Sequence, residues 1–265
     1  MKRNPSTSIL FSILLFSLTL LIAGSAVADV FIRQVVHTGP VEMGGQTHPA
    51  RTDTSAAWMG GDRITMITDE NRSIIVRADE GKMYMVDHGA KKYAVIPIDF
   101  TSFMEEAAAA SGEDVDQQQL QATKDAMKQM MGEVKVTVTE TEETKKIKEW
   151  EAKKYISEIS MAMGTSRSEI WATKDIDINY EMLWSASNAM MAILPGFEDM
   201  VAKMQQIEGM PIKTISTMTM MGNEMTNESE VLEVLDKPAP EGIYDIPADY
   251  AKEEFGKSMQ GQMGR

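Results

Sequence analysis

An α+β protein, built on an open antiparallel sheet with helices gathered on one face, is the architecture this sequence predicts. Three observations predict it. Short β-type runs with turn residues between them fill 30–96, two β-poor stretches of helical periodicity interrupt the pattern, and strands resume after each interruption. Strand–turn–strand succession without βαβ alternation implies hairpins and antiparallel pairing, and segregated helices imply a sheet covered on one side.

Residues 1–28 read as a leader outside the fold. Lys2 and Arg3 form a positive start, an apolar run covers 9–22, and Ala26 and Ala28 give the small-x-small spacing of a signal-peptidase site before Asp29. The run is short for a membrane span and no stop-transfer charges follow it. The expectation is cleavage between Ala28 and Asp29, export to the periplasm, and no stable membrane span afterwards. With no cysteine in the chain, the exported part has to rely on its core rather than on disulfides or a lipid-modified terminus. Its expected extent is a single α+β domain over 29–255, followed by a polar tail over 256–265.

Within that domain, alternating runs predict strands over 30–36, 54–59, 63–68, 73–77, 82–87 and 92–96. A glycine-rich excursion (Gly39, Gly44, Gly45, Pro49) separates the first two. Gly60-Gly61 is the strongest hairpin signal, because both positions accept positive φ. Pro97 closes the last run, since it cannot donate to a ladder. The alanine- and glutamine-rich text of 101–132 predicts helix, with Thr101 or Ser102 as N-cap and a break at Ser111-Gly112. Its second part carries a stripe of Leu120, Thr123, Met127, Met130 and Met131.

Strands return over 133–142, 150–161 and 166–173. A second helical text, "NYEMLWSASNAMMAIL", puts Met182, Leu183, Ala186, Met190 and Ile193 on one face. After Pro195-Gly196 that stripe continues through Phe197, Val201, Met204 and Ile207 to a cap at Gly209. A final hairpin, 212–221 with 224–235, turns about Gly222-Asn223 before a tail through "IYDIPADY".

Charge and motifs exclude several function classes. Without Lys2 and Arg3 there are 24 basic against 40 acidic residues, a net charge of −16, which argues against nucleic acid and anionic membrane surfaces as partners. His37, His48 and His88 are dispersed without ligand spacing, so they read as surface histidines. "DIDIN" (Asp175, Asp177, Asn179) imitates a calcium loop, but Tyr180 stands at the glycine position and Ala186 where a bidentate glutamate belongs. No phosphate-cradling glycine loop and no nucleophile elbow occurs. A non-enzyme without cofactor or metal is expected.

Methionine is the conspicuous residue, with 24 in the chain. Residues two apart on a strand share a face, so Met83 with Met85, Met161 with Met163, and Met218 with Met220 form three same-face pairs. Full burial of each would contribute roughly 1.5–3 kcal/mol, yet leucine or valine would fix a core better. Methionine suits an apolar surface that has to adapt. Three readings stay open at this level: a plain core, a deformable apolar hollow, and thioether coordination of a soft ion such as Cu(I).

The segments "WMGGDRITMI" (58–67) and "SIIVRADEGKMYMVDHGAKKYAVIP" (73–97) resemble the strand pattern of LolA-like proteins, periplasmic carriers and receptors of outer-membrane lipoproteins. The resemblance is nearest to an uncharacterised exported family of that superfamily, a domain of unknown function. Its pattern falls on Trp58, Asp62, Arg63, Ile74, Arg77, Asp79, Lys82, Met83, Tyr84, Asp87, Lys92, Tyr93, Pro247 and Tyr250. The resemblance implies an incomplete antiparallel barrel, a half-barrel whose concave hollow is plugged by helices and, in the lipoprotein carriers, accepts acyl chains.

The expected function is therefore non-enzymatic binding, in the periplasm, of an apolar or amphiphilic ligand such as a lipid or lipoprotein acyl chain. The expected lining is Met83, Met85, Met161, Met163, Leu183, Met190, Phe197, Met204, Met218 and Met220. Trp58 and Tyr84 are read as sheet packing. A structural module docking a protein partner in an envelope complex is the alternative, and soft-metal binding comes third.

Overall fold

The computed structural model describes residues 29–43, 46–111, 116–162, 164–176, 198–220 and 222–253. The first strands are β1 (Val30–Thr38), β2 (Val41–Met43), β3 (Gln46–His48), β4 (Arg51–Gly60) and β5 (Arg63–Asp69). Next come β6 (Arg72–Arg77), β7 (Lys82–Asp87) and β8 (Lys92–Pro97), then helices α1 (Phe100–Ser111) and α2 (Gln117–Met131). The second half holds β9 (Lys135–Ile147), β10 (Trp150–Met161), β11 (Gly164–Thr173), α3 (Glu198–Met204), β12 (Met210–Met220), β13 (Asn223–Asp236) and β14 (Ala251–Lys252).

Twelve strands share one open sheet in the order β14-β8-β7-β6-β5-β4-β1-β13-β12-β11-β10-β9. Pairing is antiparallel throughout except where β14 lies parallel to β8, so the sheet is mixed rather than purely antiparallel. The glycine-rich excursion is not a bare loop: its flanks pair as the small hairpin β2–β3. β1 is the seam of the molecule, joined on one side to β4 and on the other to β13.

Because side chains alternate across a pleated strand, the register assigns every residue to a face. Val30, Met59, Ile64, Val76, Met83 and Ile96 are successive partners across β1, β4, β5, β6, β7 and β8, forming one row on what we term the inner face. The first four of these residues belong to the main buried cluster, and Met83 packs against it. In the second half the row Val36–Ser229–Thr214–Ile170–Tyr155 carries the same face outward to β10.

The β9–β10 turn bends over this face. Lys148 Nζ donates to the Val231 carbonyl on β13 at 2.7 Å, and Ile147, Trp150 and Ala152 join the cluster of Val30 and Ile32. A smaller cluster of Tyr155, Ile170, Ala172 and Ile207 lies beside it, with Val138 and Met204 packed on.

The opposite, outer face is covered in the first half by the C-terminal segment 237–253, a strap. Phe31, Trp58, Thr65, Ile75 and Tyr84 are register partners on that face, and Trp58, Thr65 and Ile75 are buried. Thr65 Oγ1 donates to the Ile243 carbonyl at 2.7 Å. Asp29 anchors the strap: its backbone carbonyl accepts from the Lys237 amide, and its carboxylate accepts from the Ala239 amide at 2.9 Å and the Tyr244 hydroxyl at 3.0 Å. Lys237 also stacks its ammonium over Phe31 and Trp58, 4.6 and 5.0 Å from the ring centres. Trp58 and Tyr84 thus serve sheet packing on the face opposite the paired methionines.

Local chemistry sets the helix ends, and three expectations need correction. Asp99, not Thr101 or Ser102, caps α1, its carboxylate accepting the Ser102 amide at 2.8 Å; an aspartate is as good a cap and stands two residues before Thr101, nearer the sheet. Met130 is 59 % exposed and drops out of the α2 stripe, whereas Leu120 is buried. α3 ends at Met204, so Gly209 caps no helix. Gly209 has φ +96° and its missing Cβ would stand 2.3 Å from the Thr173 carbonyl oxygen; glycine is needed there for close backbone approach. α2 itself begins with a capping box, Asp116 with Gln119.

Candidate functional site

The register settles where the expected methionines stand. Met83 and Met85 on β7, Met161 on β10 and Met218 on β12 all fall on the inner face, and all four are half-buried. Their thioethers share one face with the core, as strand parity predicts. They do not form one constellation, however. Eight strand steps separate β7 from β10, about 38 Å along a flat sheet at 4.8 Å per step.

Met83 packs against the main core and Met85 stands opposite Ile74 in register, while Met161 and Met218 sit near the hairpin tips of the other half. There Met218 faces Met225 directly across the β12–β13 pair. The Met220 backbone pairs with Gly164 and Asn223, but its side chain lies outside the described residues, as do Met163, Leu183, Met190, Phe197 and Ala28. Met204 is half-buried on α3, and its sulfur accepts the Ser157 hydroxyl at 3.5 Å. At that point the inner face is filled by α3 rather than hollow.

A polar seam divides the methionine tips from the core. Ser157, Ser168, Ser216 and Asn227 are successive register partners from β10 to β13, and Ser168 Oγ and Ser216 Oγ lie 2.8 Å apart in a hydrogen bond. An inner surface of methionine ends with hydroxyls between is amphiphilic, not uniformly greasy. The outer face of the same half is laced with ion pairs, among them Lys213 with Glu228 and Glu230, Lys154 with Glu143 and Glu169, and Arg167 with Glu158. The exposed pair of Arg167 with Glu158 adds little stability, whereas Lys154 and Lys213 are largely covered.

A cleft of about 370 Å³ opens at the β9–β10 side. None of the expected methionines lines it; Tyr155, Lys153, Lys174, Glu151, Asp175 and Glu208 do. Lys174 pairs with Glu208 and Lys153 with Glu140. The bond from Lys174 holds the Glu208 carboxyl below its usual range and raises the lysine in turn. Asp175 Oδ2 accepts the Glu151 amide at 2.7 Å, so its place here is structural and owes nothing to a calcium loop.

Sequence reasoning missed this cleft. The available signal was parity: counting back in twos from Met161 gives Ile159, Ser157 and Tyr155, all inner-facing.

His88 corrects a further expectation, since it is a half-buried tie rather than a surface residue. Its Nε2 is 2.9 Å from Ser73 Oγ and its Nδ1 3.0 Å from Tyr250 OH, joining β6 to the strap. Among the described residues there is no group of three or more His, Cys, Asp or Glu side chains placed to hold a metal ion, and no helix long and apolar enough to cross a membrane.

The fold and site define a class: an open, mixed, largely antiparallel sheet with a half-buried methionine face and a polar cleft at one side. Residues 115–250, half of the chain, match the family described as Domain of unknown function (DUF4412), and the chain belongs to that family. The match takes in β9–β13 and most of the strap, while the segments 58–67 and 73–97 lie before it. No curated protein matches the sequence.

Proposed function

We propose that this is an exported, periplasmic, non-enzymatic binding protein of LolA-like half-barrel form that holds an apolar or amphiphilic ligand against its inner face. One observation carries the reading: Met83, Met85, Met161 and Met218 all lie half-buried on the core side of the sheet. Soft, adaptable side chains there suit a ligand that varies in shape. The hydroxyl seam favours an amphiphile over a pure hydrocarbon, because buried hydroxyls require partners.

Native mass spectrometry of the protein purified from the cell envelope tests the reading. Bound lipid is expected on the wild type and absent from the double variant Met161→Glu/Met218→Glu. A wild type that emerges free of any adduct, with a protein partner captured in its place, would instead establish the envelope-module alternative. N-terminal sequencing of the same sample should begin at Asp29; an intact leader removes the export part of the proposal.

A further inference from the structure

The cleft beside Tyr155 carries groups that the inner-face reading does not use. Tyr155 is 1 % exposed, yet its hydroxyl has no hydrogen-bond partner among the described residues. Sealing a hydroxyl away unpaired is unfavourable. The one side-chain polar atom both sealed and unpaired among the described residues is Arg77 Nε; the Tyr155 hydroxyl therefore keeps its opening, and the opening it lines is the cleft. Lys153 and Lys174 both lie within electrostatic reach of it.

The wall groups have a pattern. Tyr155, Lys153 and Lys174 offer hydrogen-bond donors, while Glu151, Asp175 and Glu208 offer carboxylate oxygens. A lone anion would meet three carboxylates, and a lone cation would meet two ammoniums. Lys174 is paired with Glu208 and Lys153 with Glu140, yet each ammonium keeps further N–H donors, and Glu151 and Asp175 face no lysine in those pairs; a ligand carrying both charges matches that wall. Three donors lining one cleft also suit a phosphate, which has acceptor oxygens for all of them, better than a two-oxygen carboxylate.

We infer that this cleft binds a zwitterionic group, an ammonium and a phosphate a few bonds apart. The phosphate accepts from the Tyr155 hydroxyl between Lys153 and Lys174, and the ammonium faces Glu151 and Asp175.

Two sources present this chemistry: free O-phosphorylethanolamine and the head group of an ethanolamine phospholipid. The lipid source deepens the proposed function and rests on it. From Tyr155 the inner file of β10 runs through Ser157 and Ile159 to Met161, about 20 Å away at 3.3 Å per residue. A tail leaving the cleft would follow that file toward the methionine tips.

Calorimetric titration of the full chain with O-phosphorylethanolamine, and separately with a short-chain phosphatidylethanolamine, tests the inference. Wild type is compared with Tyr155→Phe, which keeps the ring in its packing, with Lys174→Gln, and with Met161→Glu/Met218→Glu; circular dichroism confirms that each is folded. Binding of O-phosphorylethanolamine that weakens about tenfold or more in Tyr155→Phe and Lys174→Gln, but is unchanged in the methionine variant, establishes the site whatever happens to a tail. Binding of the lipid alone, lost in Tyr155→Phe and in the methionine variant alike, establishes it with lipid as the source. Equal affinities in wild type and Tyr155→Phe, no binding of either probe, or inorganic phosphate bound as tightly as O-phosphorylethanolamine, overturns it. Lipid binding lost only in the methionine variant removes the cleft and leaves the proposed function standing.

Discussion

Single residues show how local chemistry becomes stability here. Gly209 and Gly222 both hold positive φ, +96° and +83°, but only Gly209 has backbone within reach of an added Cβ. Gly222→Ala is expected to cost about 1–2 kcal/mol, the torsional term alone. Gly209→Ala should cost roughly 3 kcal/mol or more, because the Thr173 carbonyl must also move; urea denaturation of the two variants would show the difference. Asp99 supplies a pH dependence. The Ser102 amide bonded to it holds its carboxyl below the ordinary 3.8. A carboxyl depressed in the folded state stabilises fully above its unfolded value and loses that contribution as pH falls through the folded value. Asp99→Ala should cost about 1 kcal/mol at neutral pH. Asp99→Asn should keep most of the cap while abolishing the acid sensitivity of α1, read by amide exchange at low pH.

Elements behave according to what covers them. The outer row Trp58, Thr65 and Ile75 is buried on the face that the strap crosses, and the strap is pinned at Asp29, Thr65 and His88. Tyr244→Phe removes the hydroxyl that Asp29 accepts; about 1 kcal/mol of stability should go with it, and amides of 239–250 should exchange faster than in wild type. Unchanged exchange would mean that the strap is held elsewhere. At the far end of the sheet, β9 presents an edge. Its register with β10 slips between Lys153 and Tyr155, and Lys135, Lys145 and Lys146 stand along it. A bulge and lysines are how sheets discourage edge-to-edge pairing.

At the scale of the molecule, the two faces of the second half differ in kind: ion pairs outside, methionines and serines inside. Dilute peroxide followed by peptide mass spectrometry reads this division directly. Met130 should oxidise first and Met59, 2 % exposed, last. Met83, Met85, Met161 and Met218 should fall between, and in the presence of a bound amphiphile Met161 and Met218 should slow. Rates for these two as fast as Met130 would put them on the open surface and contradict the inner-face geometry.

Strand positions, hairpin turns and the shared parity of Met83 with Met85 were legible from the sequence by itself, because turn chemistry and the two-residue repeat are local properties of the chain. Sequence alone also pointed to an uncharacterised family, and the match of residues 115–250 to Domain of unknown function (DUF4412) is consistent with that. The sequence could not show that β1 joins the two halves, that residues 237–253 cover the outer face, or that seven strands lie between those of Met85 and Met161. Nor could it bring Lys153, Lys174 and Glu208 around Tyr155. Those facts depend on which strands become neighbours and how the sheet bends. Long-range pairing settles both, and no short window of residues encodes it.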